Sequence, residues 1–193
     1  GPGACDDGPA GCKKERMIFE LSEYMIRRKF SSVFAAGLHI YDRVGNIVGF
    51  GKQQFFKFKE DIRVYSDRSA AKELLRIKAR QKSFNWMVYD IVDARQSRKV
   101  GAFQLKRTKI ASVFPWLSWE FLDEDDRPMS KFRIFPSKII VLGEDLGRAA
   151  ELRERYGPST RELVVRIQPG AALDRGLVLG FAVLVAGAMR WKR

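Results

Sequence analysis

The sequence predicts a mainly β protein, a closed antiparallel barrel of about twelve strands around a central hydrophobic C-terminal α-helix. Three observations predict it. From residue 17 onward, short segments rich in β-branched and aromatic residues recur, divided by polar turns. Helical periodicity is largely missing until the C-terminus, where residues 176–189 carry no charge and no hydroxyl. A chain of 193 residues is long enough for one sizeable core and too short for two comfortable domains.

Residues 1–16, rich in Gly, Pro, Asp and Lys and lacking apolar periodicity, read as a disordered leader, and 17–193 as one barrel domain. Cys5 and Cys12 both lie in that leader; two cysteines cannot make a four-ligand zinc site alone. Strands are expected over 18–28, 32–41 and 47–53, the last two joined by Asp42-Arg43-Val44-Gly45-Asn46, a hairpin turn with Gly and Asn. Next come 61–65 and 73–80, then a hairpin of 87–93 with 99–106. A further hairpin pairs 118–122 with 129–135 around Asp123-Glu124-Asp125-Asp126, with Pro128 just before the returning strand. The spacing of those acids does not fit a twelve-residue calcium loop, so they read as a solvated turn. Strands over 138–142, 148–153 and 160–167 complete the set. Regular short strands suggest a sandwich or a barrel.

The C-terminal segment decides between them. A helix over about 173–190 would be apolar on every side, and such a helix must be surrounded by protein or by lipid. The uncharged run spans roughly 21 Å as a helix, against a hydrocarbon core of about 30 Å. A buried core helix is therefore expected. The alternative is a tail anchor, with Trp191 at the interface and Gly176 and Gly180 in the spacing of a membrane dimer motif. A barrel of many strands has an interior too wide for its own side chains, and a central helix fills it.

The charge points to anionic partners. The net charge is +13, and residues 48–110 hold 16 Lys/Arg against 6 Asp/Glu. Alternation sorts these cations onto faces. Lys57 and Lys59 lie opposite Phe56 and Phe58, Arg63 lies opposite Ile62 and Val64, and Arg76, Lys78 and Arg80 lie opposite Leu75, Ile77 and Ala79. Lys106, Arg107 and Lys109 crowd a connection. If these strands are neighbours, the nine residues form one basic face. Dispersed surface charge is the plainer alternative.

Several segments together resemble the LURP-one-related proteins: 57–65, 73–80, 88–93, 99–103, Trp119-Glu120-Phe121-Leu122-Asp123, and Leu173-Asp174-Arg175 running into the apolar helix. That family stands with the tubby C-terminal domains and the phospholipid scramblases. The resemblance implies a twelve-stranded barrel around a C-terminal helix. It also brings in phosphoinositide headgroup binding by Lys and Arg, seen in the tubby relatives, and calcium-dependent lipid movement, linked to the scramblases. The segment between Phe121 and Ile139 is shorter than usual for the family, and no tubby headgroup residue carries over onto a numbered position here.

No catalytic set stands out. His39 sits in a strand pattern, no Gly-rich phosphate loop precedes a helix, and no nucleophile elbow occurs. The sequence therefore points to a non-enzymatic binding module without cofactor or metal. The expected partner is an anionic phospholipid or phosphoinositide surface, and the expected location is cytoplasmic and membrane-peripheral. Nucleic acid or an acidic protein on the same surface is one alternative; a scramblase-like or tail-anchored membrane protein is another.

Overall fold

The computed structural model describes residues 18–32, 35–54, 61–80, 86–106, 118–135, 138–143, 147–156 and 161–188. The expected leader, with Cys5 and Cys12, lies outside them. The strands are β1 (Glu23–Ser32), β2 (Ala35–Tyr41), β3 (Ile47–Gln54), β4 (Asp61–Tyr65), β5 (Glu73–Ala79) and β6 (Trp86–Asp93). They continue as β7 (Arg98–Lys106), β8 (Ser118–Leu122), β9 (Pro128–Phe135), β10 (Lys138–Leu142), β11 (Arg148–Tyr156) and β12 (Arg161–Ile167). Each pairs antiparallel with its neighbours in sequence, and β1 closes on β12, so the sheet is a closed barrel without an edge. The helix α1 (Arg175–Ala188) follows β12 and runs inside.

Alternation explains the wall. Tyr24 and Ile26, Leu38 and Ile40, Ile62 and Val64, and Leu75 and Ile77 are all at most 1% exposed, and they join α1 in one core. On the helix, Leu177, Val178, Leu179, Phe181 and Val183 are fully buried. Phe181 sits among Phe103, Phe121 and Phe132, with ring centroids 5.4, 5.4 and 5.0 Å away. Helix and wall each yield room where they meet, through Gly180 on α1 and Gly101 on β7. A Cβ on Gly180 would meet Ile91 at 2.8 Å, and one on Gly101 would meet the Leu122 carbonyl oxygen at 2.5 Å with Leu177 behind it.

The antiparallel order puts five hairpin turns and the β12–α1 connection at one rim. Each hairpin carries a register shift beside its turn: at Ile40/Tyr41, Val64/Tyr65, Ile91/Val92, Phe121/Leu122 and Val141/Leu142. Bulges increase twist and bend, which curls a sheet toward closure.

Three differences from the sequence expectation have physical causes. The first strand begins at Glu23 instead of residue 18, because residues 18–22 turn over the mouth of the barrel. Ile18 is fully buried there, its carbonyl accepts the Tyr24 hydroxyl at 2.6 Å, and Phe19 packs on Gly176 beneath Arg95 at 3.9 Å. β11 runs on to Tyr156, because backbone pairing with β12 carries the polar stretch Arg153-Glu154-Arg155 that has no apolar signal. The helix starts at Arg175, because Asp174 is its cap: Oδ1 accepts the amides of Gly176 at 2.7 Å and Leu177 at 3.2 Å.

The basic outer wall as candidate functional site

Alternation puts Arg63, Arg76, Lys78 and Arg80 on strand faces, and the register sets strand against strand. Lys52 of β3 pairs with Arg63 of β4, and Arg63 pairs with Arg76 of β5. Their side chains leave the wall opposite Gly51, Val64 and Leu75, which face the core. Three cations thus stand abreast on adjacent strands. One step along the same face, Lys78 stands between Asp61 and Asp90. Arg63 and Arg76 are therefore cross-strand neighbours, Lys78 follows two residues along β5 from Arg76, and Arg80 stands just past the end of that strand. Lys57, Lys59, Arg107 and Lys109 lie outside the described residues, and Lys106 ends β7 between Trp86 of β6 and Ser118 of β8.

The wall is not bare positive charge. Arg63 donates from Nη2 to Asp61 at 3.0 Å and from Nη1 to Glu73 at 3.3 Å. Glu73 also accepts Arg76 Nε at 2.7 Å. The bond to Asp61, opposed by partial burial and aided by the charges of Asp61 and Glu73, pushes the Arg63 guanidinium further up. Arg76 keeps a side chain 42% exposed, and Lys78 is exposed and forms no ion pair among the described residues. Lys52 is exposed as well, with its ammonium 5.4 Å from the centre of the Tyr65 ring.

Arg80 is the most heavily engaged. Its Nε lies 2.8 Å from both oxygens of Asp90, and its Nη1 and Nη2 hold Asp126 at 2.8 and 2.6 Å. Lys99 Nζ reaches the same Asp126 carboxylate at 2.7 Å and the Glu124 carbonyl at 2.9 Å. Hydrogen bonds from Arg80, opposed by partial burial and reinforced by Lys99, hold the Asp126 carboxyl down at about 2. Sequence reasoning passed over Lys52, Lys99 and this use of Asp126. Lys52 and Lys99 were visible as cations in strands, but the Asp126 contact joins residues 46 apart in sequence.

Other candidates are poorer. His39 faces outward yet is buried, edge-on to Phe50 at 4.9 Å, with Nδ1 3.4 Å from the Tyr41 hydroxyl. A cleft of about 460 Å³ lies at the turn rim between Arg148 and the 168–173 connection. It is lined mostly by Gly, Ala and Pro, and Arg148 turns to Glu151 at 3.2 Å. Among the described residues, no group of three His, Cys, Asp or Glu could hold a metal ion, and no helix is long and apolar enough to cross a membrane.

No family model matches the chain. No curated protein matches it, and no solved structure does.

Proposed function

We propose that this chain is a non-enzymatic binding module that docks its basic outer wall on anionic phospholipid or phosphoinositide headgroups, at the cytoplasmic face of a membrane. One observation carries it: Lys52, Arg63 and Arg76 stand abreast on β3, β4 and β5, with Lys78 beside them. Arg63, tied to Asp61 and Glu73, serves as a fixed post, while Lys52, Arg76 and Lys78 remain exposed in whole or part. Each unpaired cation brought to an anionic leaflet adds about 1 kcal/mol, so Lys52 and Lys78, helped by the half-exposed Arg76, make a weak and reversible contact. The overall charge of +13 supports long-range attraction of the same sign. The resemblance to the LURP-one-related proteins, with their tubby relatives, points the same way.

Co-sedimentation tests it. The protein should pellet with phosphatidylcholine vesicles that contain phosphoinositide and stay in solution with phosphatidylcholine alone. Lys78→Gln should weaken that binding by about fivefold, the effect of one surface charge, while leaving thermal unfolding unchanged. Equal pelleting with both vesicles would remove lipid docking. Retention on nucleic acid at low salt without vesicle binding would transfer the wall to that partner.

A further inference from the structure

Asp126 sits where a ligand's oxygens would sit. Its carboxylate is held by both terminal nitrogens of Arg80, at 2.6 and 2.8 Å, and by Lys99 Nζ at 2.7 Å. This is the fork geometry with which guanidinium groups grip carboxylates and phosphates. The fork itself is tied to the wall: Arg80, directly after β5, donates its amide to the Val88 carbonyl at 2.8 Å, and Lys99 lies on β7. Asp90, on β6, fixes Arg80 from its other edge through Nε at 2.8 Å and Nη2 at 2.5 Å, and lies 3.9 Å from Lys99. Asp126 instead belongs to the β8–β9 turn. It reaches the fork from a backbone φ of +67°, a region that favours glycine. Its side chain stays 42% exposed, so the pairing stands at the surface, where solvent and solutes reach it.

We infer that Arg80 and Lys99 form an oxyanion site for a phosphate group, and that Asp126 occupies it as a built-in competitor. Displacing Asp126 exposes two cations beside the Lys52–Arg76 row, so the acidic turn sets how strongly the wall attracts phosphate. The fork takes free phosphate as readily as a headgroup, and it rests on the proposed docking function only for the source of that phosphate.

The variants are Asp126→Asn and, as a control, Asp125→Asn, which removes the same charge from the same turn but from a residue paired with Arg127 at 3.6 Å. Asn tolerates the left-handed region, and Asp126→Gly, which suits it better, serves as a second variant. In one arm, inorganic phosphate is titrated at constant ionic strength while the Arg80 Nε–H and Lys99 amide signals are followed by NMR. Asp126→Asn and Asp126→Gly should bind phosphate on the order of tenfold more tightly than the parent, the range of a charge-assisted bond set. Asp125→Asn should behave as the parent, and adding Lys99→Gln to Asp126→Asn should erase the gain. Equal gains for Asp125→Asn and Asp126→Asn, or no response at Arg80, would overturn the fork. In the other arm, the same proteins are pelleted with phosphatidylcholine vesicles with and without phosphatidylserine. Phosphate binding by Asp126→Asn with no vesicle binding by any variant upholds the fork for a soluble phosphate and removes membrane docking. Vesicle binding by the parent that neither Asp126 variant strengthens, with no phosphate response, upholds docking and removes the fork.

Discussion

At the scale of single residues, period-two alternation made the outward direction of Arg63, Arg76 and Lys78 legible, because each sits between core residues of its own strand, and Arg80 follows the same alternation one residue past the end of β5. Their partners were less visible. Glu73 is three residues from Arg76, but it reaches both Arg76 and Arg63 only because the register shifts at Val64/Tyr65. Asp126 comes from another hairpin altogether. Close approach is equally hidden from sequence, since a glycine in a strand does not say what it faces. Gly101 is the clearest case. A side chain there must push the Leu122 carbonyl out of the β7–β8 ladder or drive Leu177 off the wall. Neither move is cheap, because one breaks backbone pairing and the other opens the helix contact. Gly101→Ala should cost on the order of 1–3 kcal/mol, the range of an overpacked core, read as a lower midpoint in urea with an unchanged slope. An unchanged midpoint would mean that the wall is looser there than the geometry requires.

At the scale of elements, three turns repeat one construction. Asp42, Asp67 and Asp123 each accept, on the backbone carbonyl, the amide three residues on, and on Oδ1 the amide two residues on. The residue at that third position has positive φ: Gly45 at 92°, Ala70 at 60° and Asp126 at 67°. The Gly and Asn of the first turn announced it in the sequence. Ala70 gave no such signal, and the acids of the third read only as solvated. The aspartates also register in acid. For Asp42, burial pushes the carboxyl up, but hydrogen bonds from the Asn46 side chain and from the Asn46 and Val44 amides outweigh it. For Asp67, Ser69 and Ser66 lower it. Asp126 falls to about 2. A carboxyl whose pKa is lower folded than unfolded adds stability above the unfolded value, and that stability is lost as pH falls through the folded one. The barrel should therefore hold its midpoint from neutral pH down to about 4, the unfolded carboxylate range, and lose stability steadily below. Asp42→Asn should flatten part of that slope in urea titrations at successive pH values; an identical slope would mean that the Asp42 bonds are not made in solution.

At the scale of the whole molecule, the barrel and its helix explain each other, and this was the most legible part of the sequence. A fourteen-residue uncharged run is too short to cross a membrane comfortably and too greasy to face water. Twelve short strands enclose more space than their own side chains fill. The direction of the helix is set as well. Its N-terminus starts from the Asp174 cap at the rim that carries the aspartate turns, and near its other end Arg28 offers Nη1 to the Gly187 carbonyl at 3.4 Å. The Asp174 carboxylate at the start and the Arg28 cation of β1 near the end suit the helix dipole, and Arg175 in the first turn works against it. The dependence has a scale. Leu177, Val178, Leu179, Phe181, Val183 and Leu184 are each at most 4% exposed. Burying side chains of this size is worth about 1.5–3 kcal/mol apiece, so six contribute on the order of 10 kcal/mol or more before entropy is counted. Net stabilities of whole domains are about 5–15 kcal/mol. A chain ending at residue 173 should therefore lose its cooperative thermal transition and bind a hydrophobic dye, because Ile26, Leu38, Ile77 and Ile91 would face an empty interior. Adding the missing segment back as a solubilised peptide should restore the transition. If the shortened chain instead melts cooperatively near the temperature of the full one, the strands close without the helix, and the interior is packed by something other than α1.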